Sequence, residues 1–205
     1  MIRLNLGKDE DKARLWTIAT WFWWGSFRGR ELLGEASSTF NPNSTLLSND
    51  VLAKAIFIDG KKIRILIVNL KNPKEAKGNE VQVELIENGG KTCPVRAFMA
   101  WQKTMKKKPE RNLPLFMKTD GSVTTTAEMN SLLKRVFDGS FCNGRYVSLH
   151  SFRSGLASEM ALAGYDDEAI QTQGRWKSDA YKNYIKLGRA QRIGSQLKLA
   201  EVMAC

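Results

Sequence analysis

LHSFRSGLASEMALAGYDDEAIQTQGRWKSDAYKNYIK, residues 149–186, is the stretch whose reading decides the fold. Leu149, Phe152, Leu156 and Met160 recur at helical spacing and predict a helix over about 149–163 with one buried stripe. His150 and Arg153, three apart, share another face near its N-terminus. Free amide groups at a helix N-terminus favour anions, and an imidazole with a guanidinium adds to that preference. Phosphate is the guest this suits. Further helices are expected at 166–173, 178–187 and 189–202. Gly174-Arg175-Trp176 lies between the first two of these, and Tyr184 follows the glycine by ten residues. Taken alone, the histidine reads as structural and both aromatics as packing residues.

Working outward, residues 9–34 read as an N-terminal helix. Leu15, Ile18, Phe22 and Phe27 are spaced for one face, and Trp16, Trp21, Trp23 and Trp24 widen it. Arg28, Arg30 and Glu31 stand at its polar end. The Ser, Thr, Asn and Pro content of residues 37–50 predicts a loop. Three strands follow: VLAKAIFI (51–58), the Asp59-Gly60 turn signal with KKIRILIVNL (61–70), and EVQVELI (80–86). Lys71 sits at the mouth of the second hairpin. PVRAFMAWQKTMKKK (94–108) then reads as a helix whose Lys106, Lys107 and Lys108 suit its negative end or a DNA backbone. TTTAEMNSLLKRVF (124–137) reads as another, with a threonine cap. The sum is an α+β domain, mostly helical, with one small three-stranded antiparallel sheet. No internal repeat and no linker divides it.

Composition narrows the function. Thirty-two Lys and Arg oppose 21 Asp and Glu among 205 residues, leaving +11. Nucleic acid, an acidic surface and plain solubility all fit that sign. The apolar run Leu15–Trp24 is half of what a bilayer crossing needs, so a membrane protein is excluded. Cys93, Cys142 and Cys205 are odd in number and widely spaced, which argues against a disulfide scaffold and for a reducing compartment. One histidine excludes a metal site built from several imidazoles.

Arg28, Lys71, His150-x-x-Arg153, Gly174-x-Trp176 and Tyr184, in that order, resemble the catalytic domain of the tyrosine recombinase (phage integrase) family. GSFRGRELL (25–33) resembles its first arginine box, with Glu31 as the acidic partner. The 149–178 phrase resembles the second. The wording GRWKSDAYKNYIK, and LKNP around Lys71, is similar to the Crypton-type recombinases of eukaryotic mobile elements. The resemblance covers roughly residues 10–190. It departs from the family pattern at Arg175, which stands directly after the glycine where His or Trp is usual. Trp176 takes that role one position later. Lys74 and Lys77 rival Lys71, and Tyr181 rivals Tyr184.

The resemblance implies a catalytic domain at 1–187 and a helical tail at 188–205 that docks on its own domain or is exchanged between protomers. It also implies that the family's N-terminal core-binding domain is missing from this chain. The implied partners are double-stranded DNA and further copies of the chain, as a dimer or tetramer, in the nucleus and away from membranes. The implied chemistry is phosphoryl transfer with neither metal nor other cofactor. Tyr184 attacks a scissile phosphate to give a 3′-phosphotyrosyl enzyme and a free 5′-hydroxyl. A phenol near its reference pKa of about 10 is ionised in roughly one molecule per thousand at pH 7, so His150 is the implied proton acceptor. Arg28 and Arg153 hold the non-bridging oxygens. Lys71 protonates the leaving oxygen, and Trp176 donates its N–H or buttresses Tyr184. Glu31 orients Lys71 or Arg28. Arg30, Lys74, Lys77, Arg175 and Lys177 are expected along the DNA. Two other readings are a recombinase fold that binds DNA without cutting it, and a type IB topoisomerase.

Overall fold

The computed structural model describes residues 8–36, 40–71, 81–105, 110–137 and 146–185. The expected helix at 189–202, the tail, Lys74, Lys77, Lys106 to Lys108, Cys142 and Cys205 lie outside them. Two compact units emerge, Met1–Arg153 and Ser154–Cys205.

In the first unit, α1 (Asp9–Trp24) opens with Asp9, Glu10 and Asp11, which suit the positive end of its dipole. The expected helix to residue 34 is thus cut short. Its last N–H bond comes from Gly25 to the Trp21 carbonyl, and Ser26 then turns left-handed at φ +48°. The turn folds Phe27 back into the core, its ring lying 2.1 Å from where a Cβ on Gly25 would stand. The chain resumes as the single turn α2 (Gly29–Leu32), and Leu32 and Leu33 are buried.

The sheet has the order β1-β2-β3, with β1 at Val51–Ile58, β2 at Lys61–Leu70 and β3 at Val81–Ile86. All pairing is antiparallel. Ile58 faces Lys61 across Asp59-Gly60, whose φ values of +50° and +74° give the twist a two-residue hairpin needs. Val81 faces Leu70, so Lys71 leaves β2 just past the last pair. Alternation holds only in the first half of β2. Ile65, Leu66, Ile67 and Val68 are all buried, because both faces of the sheet are covered there.

Helix α3 (Pro94–Thr104) packs on α1. The Trp21 ring centroid lies 5.2 Å from Phe98 and 5.4 Å from Phe116, and Trp101 stacks on Phe116 at 5.2 Å. Trp21 also donates its indole N–H to the Pro94 carbonyl at 3.3 Å. Helix α4 (Thr126–Phe137) is capped as expected, Thr125 Oγ1 accepting from the Glu128 N–H at 3.1 Å.

Helix α5 (Leu149–Leu162) carries the boundary between the units, its residues to Arg153 counted with the first and those from Ser154 with the second. In the second unit α6 (Asp167–Gly174) is capped by Asp166, and a 3₁₀-helix runs over Asp179–Tyr184 where an α-helix over 178–187 was expected. Ala157, Ile170 and Tyr181 form its small core. Among the described residues no helix is long and apolar enough to cross a membrane.

Trp21 is fully buried at the centre of the aromatic cluster. Trp21→Ala is expected to lower stability by about 3–5 kcal/mol in denaturant unfolding. A loss below about 1 kcal/mol would contradict this account of the core.

Candidate active site

In the first unit Arg153 reaches the segment that carries Arg28, from a distant part of the chain. Arg153, on the first turn of α5, is only 2% exposed, and a buried guanidinium must find acceptors. Its Nη1 donates to the Ser26 carbonyl at 2.9 Å. That carbonyl belongs to the left-handed turn two residues before Arg28. Arg28 itself is held by Glu31, whose Oε2 accepts the Arg28 backbone N–H at 2.8 Å and whose Oε1 lies 3.1 Å from Nη1. Glu31 is the more buried of the pair, while the Arg28 side chain keeps 27% of its surface open. Of the two expected roles for Glu31, the orientation of Arg28 is the one observed. His150 is exposed one turn before Arg153, on the N-terminal turn of α5.

Lys71 has a different environment from the one expected of a lysine at a hairpin mouth. Its Nζ is 3.0 Å from Asp50 Oδ2 and 3.1 Å from the Pro42 carbonyl. Asp50 is buried, caps the 3₁₀ turn Ser48–Asp50 through the Leu47 N–H at 2.8 Å, and was not singled out in the sequence. Arg30 is exposed and paired with exposed Glu35 at 3.0 Å, a contact of small net value. Lys177 is exposed.

The second unit builds a platform for an aromatic hydroxyl. Helix α6 ends in a Schellman arrangement: the Trp176 N–H reaches the Gln171 carbonyl at 3.0 Å and the Arg175 N–H reaches Thr172 at 3.1 Å. Arg175 takes the left-handed position at φ +55°, a place glycine usually holds. The glycine stands one residue earlier for a steric reason. A Cβ on Gly174 would lie 1.5 Å from the Trp176 ring, so only glycine lets the indole fold back over the helix end. Trp176 then stacks on Tyr184 with ring centroids 5.7 Å apart and planes 25° from parallel. Gly174-x-Trp176 is therefore a packing unit aimed at Tyr184, and the displacement of Trp176 by one residue follows from the turn.

Tyr181 and Tyr184 have distinct chemistry. Tyr181 is 1% exposed, and burial with a hydrogen bond to the Asp167 carboxylate pushes its phenol up from the ordinary value. A phenol held protonated in this way is a poor nucleophile. Tyr184 is half-buried, and its backbone carbonyl accepts hydroxyl bonds from Ser154 at 3.0 Å and Ser158 at 3.1 Å. Sequence reasoning missed both serines. Their i, i+4 spacing directly after Arg153 was the available signal.

Neither a protein-family model nor a curated protein matches the sequence. Solved structures do. The fold is similar to XerH site-specific recombinase bound to palindromic difH substrate in a post-cleavage complex, at 16% identity and TM-score 0.63, over 95% of this chain and 48% of that one. It is similar to XerA recombinase at 15% identity and TM-score 0.59, over 96% and 63%. The Tn1549 transposon integrase in complex with circular intermediate DNA gives 14% identity and TM-score 0.52, over 94% and 62%. The chain thus spans about half to just under two thirds of the length of the structures it matches. The likeness establishes the fold, that of a tyrosine recombinase catalytic domain.

Two measurements test this geometry. In an absorbance titration the Tyr181 phenol is expected to ionise above the ordinary phenol range, and Tyr181→Phe removes that phase. Because its folded-state value is raised, the stability it contributes is fully present below about pH 10 and is lost as pH rises through the folded value. Four tyrosines titrating together would contradict the assignment. Gly174→Ala is expected to expel the Trp176 ring, change its fluorescence and cost about 1–3 kcal/mol. An unchanged spectrum would show that the indole does not lie over Gly174.

Proposed function

We propose that the chain is a site-specific DNA recombinase that cuts and rejoins strands through a 3′-phosphotyrosyl intermediate. The observation that carries this reading is the bond from buried Arg153 to the Ser26 carbonyl, which draws together the two segments bearing the arginines over 127 residues of sequence. The recombinase catalytic fold supports it, as does the net charge of +11.

The chemistry follows from the residues. The Tyr184 phenol oxygen forms a bond to phosphorus while the bond from phosphorus to the 5′-oxygen breaks. The phenol proton passes to His150, and Lys71 gives a proton to the leaving oxygen. Two fixed guanidinium groups, Arg28 and Arg153, stabilise the charge that develops on the non-bridging oxygens, the kind of preorganised term that dominates phosphoryl transfer. The phosphodiester energy is kept in the tyrosyl ester, so rejoining needs no nucleotide. Tyr184 is preferred to Tyr181 because Tyr181 is buried and bound to Asp167. Trp176 buttresses Tyr184 from the face it stacks on. Arg30, Arg175 and Lys177, with Lys74 and Lys77, contact the DNA backbone, and the active species on DNA is an oligomer. The Crypton-like wording around Lys71 and Tyr184 supports a eukaryotic mobile element as the source and the nucleus as the place of action.

A second reading, a recombinase fold that binds DNA without cutting it, is favoured by one observation. The Lys71 ammonium is engaged by Asp50 and the Pro42 carbonyl, and it must leave them to reach a substrate.

The two are separated with duplexes enriched by binding to the protein and carrying a bridging 5′-phosphorothiolate, which traps the covalent state. We expect a protein–DNA adduct on a denaturing gel, kept by Tyr181→Phe and lost by Tyr184→Phe. Arg28→Ala should slow its formation by about a hundredfold or more. An absent adduct on bound duplex selects the binding-only reading, and an adduct surviving Tyr184→Phe moves the nucleophile elsewhere.

A further inference from the structure

Two hydroxyls on α5 converge on a single backbone oxygen. Ser154 Oγ donates to the Tyr184 carbonyl at 3.0 Å, and Ser158 Oγ lies 3.1 Å from the same atom. Ser158 Oγ is also 2.9 Å from the Ser154 carbonyl one turn back. A hydroxyl has one proton to give. Ser158 therefore divides its proton between a helix carbonyl and Tyr184, whereas the Ser154 bond is directed at Tyr184. Both contacts meet at that one carbonyl oxygen.

The placement has a cost within α5. Serine is a poorer helix former than alanine, and back-bonding to the i−4 carbonyl slightly weakens a helix. What the pair accomplishes lies outside the helix. Tyr184 ends the 3₁₀-helix, Ile185 is already extended at φ −72° and ψ 109°, and the last carbonyls of a helix lack internal partners. The serines meet the carbonyl of Tyr184 at the point where the chain leaves the helix.

We infer that Ser154 and Ser158 are positioning residues for the nucleophile, an inference that rests on the reading of Tyr184 as the attacking residue. They hold the backbone of Tyr184 from one side while Trp176 holds its ring from another. A main-chain anchor and a ring stack together restrict both the position and the direction of the phenol oxygen. Displacing a reacting atom by about 1 Å costs on the order of a hundredfold in rate. The two serines are unequal. Ser154 is the lock; Ser158 retains its helix bond when the segment moves, so it is the tether that lets Tyr184 return.

The test uses Ser154→Ala, Ser158→Ala, the double variant and Ser154→Thr. One arm needs no DNA: amide hydrogen exchange over residues 181–185. The other is the single-turnover rate of adduct formation on saturating phosphorothiolate duplex, with duplex affinity measured alongside. We expect Ser154→Ala to slow the adduct by about ten- to a hundredfold at unchanged affinity. Ser158→Ala should slow it by less than about fivefold, and Ser154→Thr should recover most of the rate. Exchange should accelerate in the same order and stay confined to this segment. An unaltered rate in the double variant overturns the inference, and so does a fall of rate, affinity and melting temperature in equal measure. If the unsubstituted protein forms no adduct, the recombinase reading fails on its own, and the exchange arm still decides the clamp. Faster exchange confined to 181–185 then upholds it, and unchanged exchange overturns it.

Discussion

A buried guanidinium that must meet protein acceptors ties α5 to the turn after α1. Arg153 is nearly sealed from solvent, so its donors must be met by protein acceptors, and one is the carbonyl of Ser26. That carbonyl is available because Ser26 takes a left-handed conformation, which ends α1 and reverses the chain. The reversal buries Phe27 and starts α2, whose Glu31 holds the side chain of Arg28. Each step depends on the one before it. A neutral residue at 153 would remove the bond to the Ser26 carbonyl.

The second unit solves a related problem with uncharged groups. On the proposed function, an aromatic hydroxyl has to be fixed while staying reactive, and burying it works against reactivity. Tyr181 shows the outcome of burial, a phenol in the small core whose ionisation is opposed by desolvation and by the Asp167 carboxylate. Tyr184 is held at its ring and at its main chain. Its ring lies on Trp176, and its carbonyl is held by two serines. Gly174 makes the stack possible by leaving room for the indole.

Much of this was legible in the residues. All three strands fell where alternation and the Asp59-Gly60 signal put them, because hairpin register is a local property. The N-terminal helix was read ten residues too long. Apolar spacing continues through Phe27, and nothing local marks Ser26 as left-handed; Arg153, far along the chain, meets its carbonyl. The last 3₁₀-helix was expected as an α-helix for the converse reason, since its end is fixed by serines outside the segment. Asp50 escaped notice because a single acidic residue in a polar loop has no pattern. The boundary between the units was invisible too, since it falls within a helix of uniform composition. At Gly174-x-Trp176, read in the sequence as a motif, the coordinates supply a steric reason for the glycine, the Trp176 ring lying over it.

The proposed function requires a single phosphorus, attacked by Tyr184 and held by Arg28 and Arg153. A crystal structure of the protein on a bound duplex, with vanadate joining the cut ends in place of the scissile phosphate, tests it most directly. The account predicts vanadium bonded to the Tyr184 phenol oxygen, with both guanidinium groups hydrogen-bonded to its equatorial oxygens. Vanadate bound by another side chain, or arginines spread over separate phosphates, would contradict it.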